Sequence, residues 1–459
     1  MQRIYFVSGN EKKYEEIKEI IEDDCPQIDW KRMEIPEIQA KDIETLIRRK
    51  AMEAFKELKR PVLVEHTALR IEAYQNLPDL QTSYFCNSIG NEEIVKYCCF
   101  KDKFGAEAIS AFCYCDGKKM YIGQGMEAGK IVESVDKVEE GFGWDGIFVP
   151  KENNPEQKTY ASPGNQKCKR SMRKKAWDEL RGFLTGPNLD YETENDKICE
   201  LKELIRKKKV MLFVGAGISA SLGLPSWDKL IEDLGSEEGY EGELFQSYGD
   251  NMMLAEFLRK KSPERLYESL RKRFDINIEP EVLKKLETSE IYQMIEKLDF
   301  PVIYTTNYDA LIEKYYEIKG REYAKVAVID DMEKVKEGNP RIMKFHGDFT
   351  DEKTIILTES QYFERMDFQS FMDIQLQADM LKYYVLFLGY SMSDINIKLL
   401  LYRIRRNWGN STKTAYIFTA TPNEIQKQVF MGNDIIAFSG ENADKKEGTL
   451  EFLKALCTD

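Results

Sequence analysis

The 459-residue sequence is short of histidine, and its cysteines are not arranged in pairs. It has two histidines, His66 and His346, so any imidazole chemistry must use one of them. None of its nine cysteines forms a C-x-x-C pair, the unit from which structural zinc sites are usually built. The sequence therefore predicts reduced thiols and no zinc.

A basic excess and long apolar runs are also missing. Lys and Arg number 67 and Asp and Glu number 80, which gives a formal net charge of −13. General nucleic-acid binders and anionic-membrane binders need a basic footprint, so this balance argues against both classes. No run of 18 apolar residues is present, and the first residues enter an apolar strand without a signal-peptide pattern. The sequence predicts a cytoplasmic protein with no membrane or nucleic-acid partner.

Two α/β blocks are visible, at residues 1–184 and 197–459, and a polar, turn-rich segment at 185–196 predicts a linker between them. In the first block, alternating apolar patterns predict strands at 3–8, 30–35, 61–65, 108–115 and 120–127, and helices at 12–22, 42–58 and 171–184.

The second block has short, continuous apolar runs, which are typical of parallel strands covered on both faces. Strands are predicted at 210–214, 302–305, 341–345, 384–388, 415–419 and 434–438, and helices at 197–208, 245–273 and 279–298. The alternation predicts an α/β fold class, with a Rossmann-like, doubly wound sheet and helical insertions.

Glycine-rich or polar residues follow four of these strands. They are the turn Gly215-Ala216-Gly217 with Ser219, the segment Thr306-Asn307-Tyr308-Asp309, the pair His346-Gly347, and the segment Gly389-Tyr390-Ser391. One such turn alone could be a tight connection without a ligand, and His346 alone could be a core residue. Because ligands of open α/β sheets bind outside the carboxyl ends of the strands, the four together predict a dinucleotide site.

Together these motifs resemble the sirtuin superfamily, over residues 199–459. The resemblance implies that Gly215, Ala216, Gly217 and Ser219 cradle the phosphates of NAD, that Thr306 also binds NAD, and that Gly389 and Ser391 line its adenosine half. It implies that Asn307 and Asp309 hold the nicotinamide-side ribose and the attacking water, and that His346 is the general base. Breaking the nicotinamide–ribose bond develops an oxocarbenium-like cation, for which an ordered amide, a carboxylate and an imidazole are suitable groups.

Protein-deacylating sirtuins carry a zinc ribbon of paired C-x-x-C units, whereas the second block contains only Cys199 and Cys457. Without the ribbon, the block resembles sirtuin-like NAD hydrolases of bacterial anti-phage systems, in which water is the acceptor. The resemblance implies ADP-ribose and nicotinamide as products.

The first block carries a second set of polar motifs. A strand leads into Ser8-Gly9-Asn10 with Lys13, the loop Gly141–Asp145 holds Phe142 and Trp144, and a basic stretch contains Lys167, Ser171 and Arg173. Backbone N–H groups and an ammonium at a strand–turn–helix junction can hold phosphate oxygens. An ordinary turn with solvated charges remains the alternative at this point.

In order and spacing these segments resemble the inosine-triphosphate pyrophosphatase family, over residues 1–184. The resemblance implies that a purine triphosphate is bound by Ser8, Asn10, Lys13, Phe142, Trp144, Asp145, Lys167, Ser171 and Arg173. It also implies metal-binding roles for Glu37, in Pro36-Glu37-Ile38-Gln39, and for Glu65, with Mg²⁺ accompanying the bound triphosphate.

Two departures from the family bear on catalysis. The acidic segment E-D-T-G-L reads Glu65-His66-Thr67-Ala68-Leu69, so the aspartate that would activate water or bind metal is His66. The histidine expected to face the base is Met172. A histidine is a poor replacement for a carboxylate as a ligand of Mg²⁺. The pattern predicts a pocket that binds a triphosphate and hydrolyses it poorly, with drift in a still-active enzyme as the alternative.

The two halves predict a homo-oligomeric NAD hydrolase that is activated by a non-canonical purine triphosphate such as dITP or ITP, in anti-phage abortive infection. One alternative is an active pyrophosphatase whose sirtuin-like half only binds NAD or ADP-ribose. Another is a protein deacylase or ADP-ribosyl transferase.

Overall fold

The computed structural model describes residues 4–21, 28–139, 142–152, 154–162, 167–184, 192–274, 280–367, 369–390, 398–399, 401–402, 406, 413–421, 423–431, 435–440 and 442–458. The chain divides into two compact units, Met1–Leu189 and Asp190–Asp459. Within the described ranges, every cysteine is a free thiol. None of the helices in those ranges has the length and apolar character needed to cross a membrane.

The first unit is built on a mixed sheet. Its strands are β1 (Ile4–Val7), β2 (Ile28–Lys31), β3 (Val62–Ile71), β4 (Leu77–Asp79), β5 (Gly105–Cys115), β6 (Met120–Ile131) and β7 (Phe148–Pro150). They lie in the order β2-β1-β3-β5-β6-β7, and β4 pairs with β3. The strand β1 is parallel to β2 and β3, whereas β3, β5, β6 and β7 pair antiparallel. The strand predicted at 61–65 continues to Ile71, so His66 and Thr67 belong to β3.

The helices of the first unit cover this sheet and hold the polar motifs over it. They are α1 (Glu11–Ile21), α2 (Ile43–Leu58), α3 (Thr82–Ile89), α4 (Asn91–Lys101), α5 (Lys167–Arg170) and α6 (Met172–Leu180). Two glycines let α6 lie directly on β6: a Cβ at Gly123 would stand 2.1 Å from Ala176 O, and one at Gly125 would stand 2.0 Å from Met172 O. This close approach fixes the start of α6, which carries Arg173.

The second unit contains a parallel sheet of seven strands among the described residues. They are β8 (Val210–Val214), β9 (Val302–Thr305), β10 (Ala324–Val326), β11 (Arg341–Lys344), β12 (Tyr384–Leu388), β13 (Ala415–Thr419) and β14 (Ile435–Ser439), in the order β10-β11-β9-β8-β12-β13-β14. The strands β9, β10 and β11 lie on one side of β8. The chain then crosses to the other side of β8, where β12, β13 and β14 follow in order. This is the doubly wound arrangement predicted from the sequence, and the fold class is confirmed.

Where the structure describes both ends, the helices of the second unit are α7 (Glu192–Arg206), α8 (Ala216–Ala220), α9 (Trp227–Glu237), α10 (Gly242–Gln246), α11 (Asn251–Lys261), α12 (Pro263–Phe274), α13 (Pro280–Glu287), α14 (Glu290–Leu298), α15 (Leu311–Ile318), α16 (Glu359–Glu364), α17 (Phe371–Lys382), α18 (Glu424–Met431) and α19 (Lys445–Cys457). The single helices predicted at 245–273 and 279–298 are wrong, because the first region is divided among α10, α11 and α12 and the second between α13 and α14. Asp250 caps the start of α11, and Pro263 starts α12 because proline suits a first helical turn and not a helix interior.

Candidate functional site

In the second unit, the ends of β8 and β12 are held together by glycine backbone. Gly215 donates its N–H to Leu388 O, and Gly217 donates to Gly389 O, each at 2.9 Å. A Cβ at Gly215 would stand 2.4 Å from Gly389 O, and one at Gly217 would stand 2.9 Å from it. Gly389 itself has a φ of +64°. These glycines are therefore required by the close approach of two loops, and two of the N–H groups predicted to bind phosphate are used within the protein.

Asn307, Ser219 and Asp309 form one hydrogen-bonded group across the ends of β8 and β9. Asn307 Nδ2 donates to Ser219 Oγ at 3.0 Å and to Gly215 O at 3.2 Å. Ser219 Oγ donates to Asp309 Oδ2 at 2.8 Å, and Leu311 N donates to Asp309 Oδ1 at 3.1 Å. Asp309 is buried, and both of its carboxylate oxygens accept bonds from the protein. The carboxylate thus orients Ser219, which in turn orients the Asn307 amide.

His346 follows β11, next to the end of β9, because Phe345 N donates to Thr305 O at 2.8 Å. Its carbonyl accepts from Ile356 N at 3.1 Å, and Ile356 O accepts from the Tyr308 hydroxyl at 2.6 Å. The imidazole is buried and lies edge to face with the ring of Tyr362, with centroids 5.4 Å apart. The tyrosine of the Thr306–Asp309 motif therefore braces the segment that holds His346.

Two charged residues that belong to none of the motifs contact the segments at the carboxyl ends of β9 and β11. Lys344 is buried, donates to Asp309 O at 2.5 Å and pairs with Glu313 at 3.4 Å. Arg365 donates to Phe345 O at 2.8 Å and stacks over the Phe345 ring. Their only sequence signal is a charge inside or beside an apolar run, which does not by itself distinguish a buried support from a solvated side chain.

In the first unit, the start of α1 is closed by its own motif. Asn10 Oδ1 accepts from Lys13 N at 3.1 Å, and Ser8 Oγ accepts from Asn10 N at 3.1 Å. The Trp30 indole donates to Ser8 O at 2.9 Å. The turn thus acts as an N-cap and sets Lys13 in the first turn of α1, facing β3.

Glu65 is fully buried and surrounded by donors. Lys13 Nζ lies 2.6 Å from its Oε2, and its Oε1 accepts from Arg173 Nε at 3.1 Å, Ser110 Oγ at 2.7 Å and Thr67 Oγ1 at 2.5 Å. Burial raises the pKa of Glu65, but the charges of Lys13 and Arg173 outweigh it and hold the pKa well below its usual range. Ser110 is brought there because its β5 position pairs with Thr67 of β3.

A second ion cluster joins the other predicted cations. Lys167 Nζ lies 2.6 Å from Asp145 Oδ2 and 2.9 Å from Glu16 Oε2. Arg173 Nη1 donates to Glu16 Oε2 at 2.7 Å. Burial raises the pKa of Glu16, but Arg173 and Lys167 lower it overall. Arg173 therefore connects the Glu16 and Glu65 clusters, as expected if these segments form one pocket.

Glu37 contacts His66, the residue that follows Glu65 in β3. His66 Nδ1 lies 3.3 Å from Glu37 Oε1, and Lys50 Nζ donates to the same oxygen at 3.0 Å. His66 Nε2 lies 3.0 Å from Leu80 O. The hydrogen bond with His66 is the main reason that the pKa of Glu37 falls to about 2, and the Lys50 charge adds to it against the effect of burial. Lys50 was not predicted, because α2 shows no motif around it.

The aromatic loop divides into a core residue and a half-buried one. Trp144 is buried against Phe148, with centroids 5.3 Å apart, and near Tyr160. Phe142 is half-buried. Of the predicted pair, Phe142 therefore keeps part of its ring surface accessible, and Trp144 packs in the core of the unit.

The predicted residues fall into two groups, one per unit, and Ser391 lies outside the described residues. Gly215, Ala216, Gly217, Ser219, Thr306, Asn307, Asp309, His346 and Gly389 lie at the carboxyl ends of β8, β9, β11 and β12. In the first unit, contacts connect Lys13, Glu65, Arg173, Lys167 and Asp145, and Ser171 caps α6 beside them.

The carboxylates that the resemblance assigns to metal do not form a site that fits Mg²⁺. Glu65 Oε1 accepts from three protein donors, its Oε2 pairs with the Lys13 ammonium, and Glu37 faces Lys50 and His66. Within the described ranges, no group of three or more His, Cys, Asp or Glu side chains is placed to hold a metal ion. A hard divalent cation prefers several oxygen ligands that are free of such partners.

The first unit is similar in sequence to curated pyrophosphatases. The dITP/XTP pyrophosphatase of Methanopyrus kandleri is 35% identical over 180 residues, which cover 39% of this chain and 94% of that protein. The inosine triphosphate pyrophosphatase of Candida glabrata is 37% identical over 189 residues, covering 39% of this chain and 96% of that protein. The solved structure of the Staphylococcus aureus Ham1 protein matches at 22% identity and a TM-score of 0.32, over 39% of this chain and 97% of that one.

Both families indicated by the motifs are found in the chain, and both are families of enzymes. The Ham1 family matches residues 4–183, and a SIR2-like domain matches residues 301–437. The chain therefore belongs to the Ham1 family through its first unit and is a fusion of that domain with a SIR2-like domain.

Proposed function

We propose that the SIR2-like unit hydrolyses NAD to ADP-ribose and nicotinamide, and that a non-canonical purine triphosphate bound by the Ham1-family unit activates it. The observation that carries the first part is the group formed by Asn307, Ser219 and Asp309 at the carboxyl ends of β8 and β9. His346 follows the neighbouring strand β11. Substrates of doubly wound sheets bind outside the carboxyl ends of the strands, at the point where the strand order reverses. In this sheet that point lies between β8 and β12, and Ser219 follows β8.

The proposed reaction needs one bond to break and one to form at C1′ of the ribose. The bond to nicotinamide breaks with its electron pair leaving on the pyridine nitrogen, and a water oxygen bonds to C1′. Asn307 orients the water, and the imidazole of His346 accepts the proton that the water loses. The buried position of His346 keeps bulk water from competing for the imidazole.

Activation requires that the nucleotide bind the NAD-hydrolysing state more tightly than the resting state. The cations Lys13, Lys167 and Arg173 support a triphosphate as the ligand of the first unit, and the half-buried Phe142 supports a planar base. Inosine or deoxyinosine triphosphate is proposed because relatives of this unit are named for those substrates. The resemblance to defence effectors supports a role in anti-phage abortive infection. On the same ground, we propose that the protein acts in the cytoplasm as a homo-oligomer.

A second candidate function is an active pyrophosphatase of non-canonical purine triphosphates. Identities of 35% and 37% to proteins named as such pyrophosphatases favour it. In that case the SIR2-like unit binds NAD or ADP-ribose without destroying it. The contacts of Glu37 with His66 and Lys50 favour the first proposal, because they occupy the carboxylate that hydrolysis would need.

One experiment separates these functions. Purified full-length protein is incubated with NAD, with and without dITP or ITP, and nicotinamide and pyrophosphate are measured. Nicotinamide release that depends on the nucleotide and is lost in His346→Ala supports the proposal. Pyrophosphate release with NAD untouched supports the pyrophosphatase, and label from NAD on a protein acceptor indicates a transferase or deacylase.

A further inference from the structure

The inference rests on the proposed function and concerns how the triphosphate is held in the first unit. Glu37 is the carboxylate of this pocket that stays most open, with 38% of its side chain exposed. It is not free, because Lys50 Nζ lies 3.0 Å and His66 Nδ1 lies 3.3 Å from the same Oε1. Two protein donors thus contact one of the two carboxylate oxygens that the resemblance assigns to metal.

His66 is held in this position by a second contact. Its Nε2 lies 3.0 Å from Leu80 O, and the side chain is 5% exposed. An aspartate at position 66 would set a second carboxylate near Glu37, and the repulsion between two like charges would favour a bound divalent cation there. His66 removes that repulsion, because the ring stands beside Glu37 as a hydrogen-bonding partner and not as a second anion.

Two ammonium groups converge on Glu65. Lys13 Nζ lies 2.6 Å from its carboxylate, and Lys50 Nζ lies 3.5 Å from its backbone carbonyl. The Glu65 side chain is fully closed to solvent, whereas the side chains of Lys13 and Lys50 are 17% and 13% exposed. Of the groups that contact each other around Glu65, the two ammonium groups therefore reach solvent and the Glu65 carboxylate does not, and ammonium groups suit phosphate oxygens.

The permanent charges of the pocket are balanced without a metal ion. Four carboxylates, Glu16, Glu37, Glu65 and Asp145, are each paired with a lysine or arginine. The four cations are Lys13, Lys50, Lys167 and Arg173. A triphosphate that enters can exchange these carboxylate contacts for phosphate contacts at Lys13 and Lys50.

We infer that this unit binds a purine nucleoside triphosphate without a divalent metal ion, with Lys13, Lys50 and His66 in the place that Mg²⁺ would take. Binding is then separated from hydrolysis, because the groups that hold the phosphates are cations of the chain. A bound nucleotide that is not consumed can act as a persistent signal.

The test is calorimetric titration of the full-length protein with dITP, once in EDTA and once in MgCl₂. The dissociation constants are expected to agree within about threefold. Loss of binding in EDTA that Mg²⁺ restores overturns the inference and leaves nucleotide binding intact. Absence of binding in both buffers overturns the inference together with the proposed activator. Nicotinamide release from NAD in the same samples reports the proposed function separately.

Two variants extend the test with a matched control. Lys50→Ala is expected to weaken binding in EDTA about tenfold, the effect of losing one charged contact. Lys56→Ala removes a lysine of the same helix that pairs with Glu53 on the surface, and binding should not change. His66→Asp is expected to make binding depend on Mg²⁺ by about tenfold or more. Equal losses in Lys50→Ala and Lys56→Ala contradict the inference.

Discussion

The hydroxyl of Ser219 donates to the carboxylate of Asp309 at 2.8 Å, although 90 positions separate the two residues in the chain. The same hydroxyl accepts from Asn307 Nδ2 at 3.0 Å. Ser219 therefore transmits the orientation set by Asp309 to the amide that the proposed reaction uses.

Ser219→Ala should lower kcat for NAD hydrolysis about tenfold, because the loss of a hydrogen bond to a charged group is worth roughly 1–2 kcal/mol. Initial rates of nicotinamide release at saturating NAD measure the effect. Ser221→Ala is the matched control, since Ser221 Oγ donates to Ile218 O, three residues earlier in the chain, and lies outside this group. An equal loss of kcat in both variants would show that the Ser219 hydroxyl has no special role.

Gly347→Ala should destabilise the second unit by about 3 kcal/mol or more. Gly347 has a φ of +77°, and a Cβ there would stand 2.2 Å from Thr354 O. The urea midpoint of the full-length protein measures the loss. Gly320→Ala is the control, because Gly320 has a φ of +65° and nothing within 4 Å of its Cβ position, so a cost of about 1 kcal/mol is expected. Similar midpoints for the two variants would refute the close contact at Thr354.

Glu256→Gln should reduce stability at pH 7 and have less effect as the pH falls. Glu256 accepts from Ser360 Oγ at 2.8 Å and so connects α11 to α16, which carries Tyr362. Burial raises the pKa of Glu256, but hydrogen bonds from Ser360 and Thr358 outweigh it and lower the pKa to about 2. Since the folded-state pKa lies below the unfolded one, the stabilisation is present above about pH 4.5 and is lost as pH falls towards 2.

At pH 7, after allowance for solvent screening, Glu256→Gln is expected to lower the free energy of unfolding by about 1 kcal/mol relative to the wild type. Urea unfolding at pH 7 and pH 3 measures it, and Glu264→Gln, an exposed position on α12, serves as the control. A Glu256→Gln difference that does not shrink at pH 3 is inconsistent with the assigned ionisation.

His66→Asp should restore pyrophosphate release from dITP in the presence of Mg²⁺. The substitution sets a carboxylate beside Glu37, and paired carboxylates can bind a hard cation with the triphosphate. Pyrophosphate is measured against the wild type, in MgCl₂ and in EDTA. If the wild type already releases pyrophosphate as fast as the variant, the histidine at position 66 is not the reason for poor hydrolysis, and the prediction is wrong.

The positions of most strands in the second unit were predictable, and those of its helices were less so. Continuous apolar runs predicted β8, β9, β12 and β13 at the observed residues. The helical pattern at 245–273 predicted one helix where three are found, since its apolar spacing continues through the breaks at Asp250 and Pro263. The short edge strand β10 was missed, because three residues carry too little periodicity.

In the candidate sites, the motif residues were predictable and their partners were not. Lys50, Ser110, Lys344 and Arg365 belong to no motif, and each acts on a motif residue from another element of the fold. Gly215 and Gly217 were predicted to admit phosphate, and Gly389 was predicted to line the adenosine half of NAD. The structure adds a packing reason for all three glycines, since a Cβ at each would meet the backbone of a neighbouring loop.

The sequence by itself determined that there are two α/β halves, that the second is built on buried parallel strands, and that polar motifs follow those strands. Local periodicity and adjacency in the chain are sufficient for such statements. Only the tertiary structure decided that Ser219 meets Asp309, that Arg173 connects Glu16 to Glu65, and that His66 and Lys50 occupy Glu37. Those contacts depend on strand order, on register and on helices lying across the sheet, and a one-residue change of register turns a strand's side chains to the opposite face.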